Sequence, residues 1–425
     1  LIFEGGFVSI FWLKESILDK KEFIVKRAKR QSTGKKLKAD PILFAVVMGL
    51  LIFGLVMITS IGVPKSIQLS APGVLYPNCE DAGVDCYLLF KNHLARMIVG
   101  VLMLFLMAKI PYQVWKKTAS IWFIAAIGVL LVVLVLGSSY TTFARSWLVL
   151  FNTSFQPTEF AKLALVFYLA SWMDRKKDAI QTFQNGFLPF CVICGVLVLP
   201  VLLQPDIGST MVLAAIAATM YFVGGARLRH IAFGTFVVGV IVLLLASNIS
   251  HIKLRVEAFL ASDISCKEDY CWQSEQAKIA IGSGGFWGKG LTQGVQKSYW
   301  LPQATDDFIF AASAEELGFI RIALLILAYA VIAWRGYLIA KGAPNRFVML
   351  TATGLTSWIV FQAYVNMSVN LGLMPITGIT LPFISYGGSS MISVLVASGI
   401  LLQLSKHSDY ANSSSRRGDG RTYYS

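Results

Sequence analysis

Long apolar runs separated by short polar, basic or glycine-rich links dominate the chain. Runs of spanning length fall near 43–63, 94–110, 119–137, 157–173, 187–203, 209–224, 230–248, 308–333, 347–367 and 388–404. A helix crosses the bilayer with about 17–25 mostly apolar residues, so the pattern predicts an all-α polytopic membrane protein of about ten transmembrane helices. The longest link is 251–307 between the seventh and eighth helices, and 370–390 between the ninth and tenth is polar and glycine-rich. The expected organisation is a basic N-terminal segment over 1–42, a membrane domain over 43–404 that includes the 251–307 loop, and a polar, disordered tail over 405–425.

Composition narrows the class. The chain is 56% hydrophobic and 14% charged, a balance that no soluble core of this size needs. A net charge of +14 would suggest nucleic acid in a soluble protein. Here basic residues on the cytoplasmic side account for it, and no nucleic-acid partner is expected. Ten Lys and Arg lie between Lys14 and Lys38, where they meet anionic lipid head groups. The N-terminal run LIFEGGFVSIFW has its charges after the apolar part and no small-residue cleavage site, which favours an interfacial helix over a signal peptide. With the N-terminus inside, about two thirds of the 37 Lys and Arg fall on cytoplasmic segments, so both termini are expected in the cytoplasm and 251–307 outside. That side is oxidising. The close pairs Cys79/Cys86 and Cys266/Cys271 are therefore expected as local disulfides, whereas Cys191 and Cys194 within the fifth span read as packing residues.

Ionisable groups inside or at the edge of a span cost several kcal/mol unless paired or wetted, so each asks for a reason. Glu159 and Lys162 in FQPTEFAK are spaced i, i+3 and can pair, either as structure or as a substrate contact; Ser154 or Thr158 is expected to cap their helix. Asp206 in QPDIGST is placed to cap the sixth helix or to hold Lys162 or Arg145, and it is counted among the substrate-binding candidates. Arg145 faces outward against the charge trend and is a candidate for an anionic head group. The glycine-rich AIGSGGFWGKGL, with Lys289 and Lys297, can bring backbone amides to phosphate, although no GK[ST] closes a nucleotide loop. Gln273 and Gln276 before it offer partners for sugar hydroxyls. The 370–390 run, with Ser385 and Ser389, is expected to line a groove, because irregular backbone at membrane depth survives only beside protein or water. The four histidines show no zinc-ligand spacing, and no GxSxG occurs. Asp306 and Asp307 stand together where the eighth span begins. Glu315 and Glu316 follow about 12–14 Å further along at 1.5 Å per residue, a distance that assigns them to groove organisation.

FQPTEFAK, QPDIGST, AIGSGGFWGKGL, LPQATDDFIFAASAEELGF and MPITGITLPFISYGGSS occur in the order seen in the FtsW/RodA (SEDS) family. The chain resembles that family over roughly 40–405, and GGARLRH and TGITLP lie closer to its FtsW branch than to its RodA branch. The resemblance implies a peptidoglycan glycosyltransferase (hexosyltransferase) in the bacterial cytoplasmic membrane. Its implied substrate is lipid II, and its implied partners are a class B penicillin-binding protein and other divisome proteins at the septum. Asp307 stands at the family's essential aspartate. Where the family commonly reads LPEAHTDFIF, this chain has Gln303, Thr305 and Asp306. The expected chemistry needs a base at the attacking sugar hydroxyl, assigned to Asp307, and positive charge at the departing pyrophosphate. Arg145, Lys162, Arg255, Lys289 and Lys297 are the candidate cations. No cofactor is required by the sequence, and a divalent cation such as Mg or Mn is the one candidate. A flippase for lipid-linked precursors, an elongation-type polymerase and a division scaffold are the alternatives.

Overall fold

The computed structural model describes residues 38–71, 78–81, 83–137, 146–150, 153–234, 236–237, 239, 253–256, 259 and 269–408. Arg145, Cys266, the N-terminal basic segment, the distal tail and most of the predicted seventh span lie outside the described residues.

The spanning helices start where the sequence offers a cap or a proline. Helix α1, Pro41–Ile61, opens on Asp40, whose carboxylate accepts from the amides of Ile42 and Leu43 at 3.0 and 3.1 Å. A short helix α2, Val63–Ser70, turns off its end. Helices α3, Leu88–Met107, and α4, Tyr112–Leu136, follow. Strands β1, Leu148–Leu150, and β2, Thr153–Phe155, form a small antiparallel hairpin, the one departure from helix among the described elements. Helix α5, Pro157–Lys176, begins with proline in its first turn, and its cap position is Gln156 without a side-chain cap. The expectation that Ser154 or Thr158 caps it is therefore corrected: the first-turn proline removes one of the amides that would need a partner. Helix α6, Leu188–Leu203, is entered through a π-turn at Phe183–Phe187. Helix α7, Ile207–Val223, is capped by Asp206, which accepts from Ser209 N at 2.9 Å. Helix α8, Asp269–Gly284, lies within the stretch expected to be loop. Helices α9, Ile309–Lys341, α10, Arg346–Asn370, and α11, Gly388–Ser405, complete the bundle.

Seven helices among the described residues are long and apolar enough to cross a membrane, and α7 is a shorter apolar one. The frame is thus a multi-pass all-α membrane fold. Helix α5 is the polar exception at its centre, where α4, α7 and α10 pack around it and nearly all its residues up to Met173 are buried. That surround lets it carry Glu159 and Lys162 at 3% and 2% exposure. Lys162 Nζ donates to Glu159 Oε1 at 2.7 Å and to Gln362 Oε1 at 2.9 Å, and it sits 4.9 Å from the Trp358 ring centre. Breaking a buried pair leaves an uncompensated charge, typically at 3–5 kcal/mol. Lys162→Met is expected to destabilise the protein by about 3 kcal/mol, read as a lowered melting temperature in detergent. Lys162→Met with Glu159→Leu should recover most of the loss.

The eighth span differs most from expectation. Gly318 has φ 76° and ψ 175°, so α9 is broken there into 309–317 and 319–341. The lower piece alone is roughly 34 Å long at 1.5 Å per residue, enough for a hydrocarbon core of about 30 Å. The predicted continuous span 308–333 is corrected accordingly. The break frees backbone groups, and the glycine-rich segment after α8 takes them up. Lys289 N and Gly290 N donate to the Glu315 and Glu316 carbonyls at 3.0 Å each, while Phe319 N and Ile320 N donate to Gly285 and Phe286 at 2.9 and 3.3 Å.

At the far end of the bundle, buried Arg335 of α9 donates through Nε to Asp40 Oδ2 at 2.7 Å, and Asp40 N donates to Ser405 Oγ at 2.9 Å. This contact ties α1, α9 and α11 together on the face away from α2.

Candidate active site

The turn 303–308 leads into α9, and three successive carbonyls on it are held from neighbouring elements. Tyr386 N donates to Thr305 O at 2.9 Å. Ser385 Oγ donates to Asp306 O at 2.6 Å. Asn366 Nδ2 and Asn370 Nδ2 of α10 both donate to Asp307 O, at 2.8 and 3.0 Å. Asn370 Oδ1 in turn accepts from Ala311 N at 3.0 Å, which seats the first turn of α9. The cap position of α9 is Phe308, without a side-chain cap bond, so neither aspartate is spent on capping.

The irregular run between α10 and α11 borders this turn, as expected of a groove wall. Its backbone is satisfied by polar residues of the helices: Asn366 Nδ2 donates to Ile379 O at 2.7 Å, Gln362 Nε2 to Thr380 O at 3.1 Å and Tyr329 Oη to Pro382 O at 2.6 Å. Gly378 (φ 73°) lies where a Cβ would stand 3.7 Å from Asp307 Oδ2, in ordinary contact distance. The N-terminus of α7 joins the same border. Gln156 Nε2 donates to Asp206 Oδ2 at 3.2 Å, and Gln156 N donates to Ser389 Oγ at 3.3 Å.

Among the described residues no side chain or amide bonds the Asp307 carboxylate, whose neighbours act on it through space. Its position deep among protein groups pushes its pKa up to about 7, first by desolvation and then by the adjacent Asp306; Arg255 and Lys65 oppose this, and Asp206 adds to it. Asp306 is also raised by burial, against Lys65 and Arg96. The Lys65 ammonium of α2 pairs with Asp306 directly and reaches Gln303 Oε1 at 3.1 Å and Thr305 Oγ1 at 3.4 Å. Arg96 of α3 lies 4.7 Å from the Tyr386 ring centre. Sequence reasoning passed over both cations. Lys65 is a basic residue just past the first span and Arg96 lies inside the second, and each position carries the same anomaly that singled out Arg145.

The proposed cations are sorted by their partners. Lys289 Nζ is bound to Glu315 Oε1 at 2.6 Å, and Lys297 Nζ to Glu316 Oε1 at 2.7 Å. Glu315 also accepts from Val295 N and Gln296 N, and Glu316 from Ser60 Oγ and Thr292 N. The two lysines are thus counter-ions of two fully buried carboxylates in this structure. Lys162 is interior, as described above. Of the described candidates, Arg255 is the one that acts on Asp307. Ser385 belongs to the turn's frame, Gln276 is buried on α8 and Gln273 is half-buried beside it. Among the described residues no three His, Cys, Asp or Glu side chains form a cluster that could hold a metal ion.

Cys79 and Cys86 are disulfide-bonded, and Cys271 is likewise in a disulfide. Cys191 and Cys194 are free. The Cys79–Cys86 bridge precedes α3 at the same end of the bundle as Lys65 and Asp307.

Fold and site together define a multi-pass membrane protein with a carboxylate that makes no hydrogen bond among the described residues, with cations nearby, at one end of a helical bundle. The chain belongs to the FtsW/RodA/SpoVE family, whose model, described as cell cycle protein, matches residues 41–410. It is 36% identical over 383 residues to stage V sporulation protein E of Bacillus subtilis, covering 89% of this chain and all of that one. It is 34% identical to the probable peptidoglycan glycosyltransferase FtsW of Trichlorobacter lovleyi, covering 86% and 93%. Among solved structures it is similar to a chain of a peptidoglycan synthase complex that coordinates polymerization and crosslinking (TM-score 0.68, 26% identity, covering 87% and 98%). The rod shape determining protein RodA of Thermus thermophilus gives a TM-score of 0.62 at 26% identity, covering 87% and 97%.

Proposed function

We propose that the chain is a peptidoglycan glycosyltransferase that polymerises lipid II during cell division, on the extracytoplasmic face and together with a class B penicillin-binding protein. The carrying observation is the Asp307 carboxylate: held by its backbone, without a bond to its oxygens among the described residues, and pushed by burial to a pKa of about 7. Relatives named peptidoglycan glycosyltransferase FtsW support the activity, and the synthase complex supports a partnered enzyme. Disulfides at this end support an oxidising, extracytoplasmic side.

In the reaction, a sugar hydroxyl of one lipid-linked unit attacks the anomeric carbon of another. The new C–O bond forms as the bond to the undecaprenyl pyrophosphate oxygen breaks, so direct displacement inverts the anomeric centre. Asp307 takes the hydroxyl proton, and Arg255 meets the negative charge of the leaving pyrophosphate. A base must be unprotonated to act. The rate is therefore expected to rise with pH through about 7 as Asp307 loses its proton, measured as initial polymerisation rates of labelled lipid II.

The functional test is purified protein with its penicillin-binding partner, assayed in parallel for glycan strands and for movement of labelled lipid II across liposomes. Strands without movement support the proposal. Movement without strands replaces it with a flippase, whose ionisable site would more usually lie at the membrane midplane.

A further inference from the structure

The pair Lys65–Asp306 has no place in the chemistry just described, yet it touches the base's own turn. The backbone of that turn is already fixed through the Thr305, Asp306 and Asp307 carbonyls. Lys65 adds a second kind of hold. From α2, outside the frame of α9 and α10, one ammonium gathers the side chains of Gln303, Thr305 and Asp306. An exposed salt bridge contributes little, but this one is only a third exposed on the lysine and a fifth on the aspartate. It also stands next to the reacting carboxylate. In this chain position 303 carries the neutral Gln303 and position 306 the charged Asp306. Lys65 is within reach of both positions.

We propose that Lys65 and Asp306 are positioning residues, a charge-compensated pair that holds the base turn and sets how readily Asp307 takes a proton. The inference rests on Asp307 being the base of a glycosyltransferase. The charged groups around Asp307 come from five places: Asp306 beside it, Lys65 on α2, Arg255 in the 253–256 segment, Asp206 at the start of α7, and Arg96 on α3 acting on Asp306. From α10 and the 371–387 run it meets the neutral Asn366, Asn370 and Gly378. The Lys65–Asp306 pair couples a negative and a positive member to Asp307 through one contact, so removing one or the other should push Asp307 in opposite directions.

The test is the pH profile of kcat/KM for lipid II polymerisation by the full chain with its partner. Asp306→Asn removes a like charge and leaves Lys65 acting on Asp307, so the acid limb should move down by about one pH unit. Lys65→Met leaves Asp306 uncompensated, and the limb should move up by about one unit. The double variant should lie close to wild type. Lys65→Arg should keep the wild-type limb, and Gln303→Glu in the Asp306→Asn background should bring the limb back up, because Lys65 regains a carboxylate partner. Slower turnover with an unmoved limb, or limbs moving the same way in the two single variants, would overturn the proposal and leave the pair a structural brace. If Lys65→Met does not fold, Asp306→Asn decides, since its limb must fall. Asp307→Asn run alongside separates the two levels: retained polymerisation there refutes the base assignment itself, whereas an inactive Asp307→Asn with unmoved limbs refutes only the pair.

Discussion

Asp307→Asn is expected to lower lipid II polymerisation by about 10²–10⁴-fold, the range that general-base help supplies. The protein should still fold and still bind its penicillin-binding partner. The substitution is nearly isosteric, and the structural work at this position is done by the backbone: Asn366 and Asn370 hold the Asp307 carbonyl, which asparagine keeps. No bond to the carboxylate is lost, since none is made among the described residues. The substitution also removes a group whose burial beside Asp306 is unfavourable to its charged form, so the variant should melt no lower than wild type. A melting temperature held or raised with polymerisation lost is the signature of a reacting group. Full polymerase activity would sink the assignment, and a lowered melting temperature would point to a structural role instead. The same logic run on Asn370→Ala gives the opposite pairing. That variant frees the Ala311 amide and one of two donors to Asp307 O, so stability and rate should fall together.

Much of this frame was legible in the chain because it depends on local rules. Asp206 before an apolar run is a cap by residue type and position, and it is found capping. Cys79 and Cys86, seven residues apart, are bonded. The i, i+3 spacing of Glu159 and Lys162 gave the pair, but their side, inward and shielded by α4, α7 and α10, comes from tertiary packing that spacing does not encode. The same limit explains Lys289 and Lys297. In sequence they stand in a glycine-rich loop, 26 and 19 residues before the acids they meet. In space the loop crosses α9 at Glu315 and Glu316, and the two lysines neutralise carboxylates that could not otherwise be buried. Arg321, for which helical spacing shows no acidic neighbour, turns to carbonyls instead: it donates to Trp287 O at 2.7 Å and Leu317 O at 3.0 Å, across the break at Gly318. Lys65 and Arg96 were overlooked for a different reason. Their anomaly, basic charge at or in a span on the outer side, was visible, but the partners that give it meaning lie more than 200 residues away in the chain.

Gly318→Ala is expected to cost on the order of 4 kcal/mol, at the severe end for a single substitution. At φ 76° and ψ 175° the backbone occupies a region almost reserved for glycine, worth about 1–3 kcal/mol of strain for another residue. A Cβ there would also stand 2.2 Å from Gly288 N and 2.5 Å from the Trp287 carbonyl carbon. Those are backbone atoms of the crossing segment, so no side chain can swing away, and the segment must lift off α9. Lifting it loosens the four backbone bonds between 285–290 and 315–320 and leaves Glu315 and Glu316 with weakened counter-ions. The damage should travel to the site. Lys297 Nζ donates to Ser60 O at 3.2 Å and Tyr299 Oη to Pro64 O at 3.2 Å, so the crossing segment also holds the α1–α2 corner that presents Lys65. The check is a melting curve in detergent with Gly282→Ala as control. Gly282 lies in α8, and a Cβ there meets nothing within 4 Å, so the control should be neutral or slightly stabilising. If Gly318→Ala melts with the control, the crossing is not what holds the two buried glutamates against their lysine partners. If it melts far below and polymerisation falls with it, a glycine nine residues past the start of α9 governs the seating of Lys65 against the base turn.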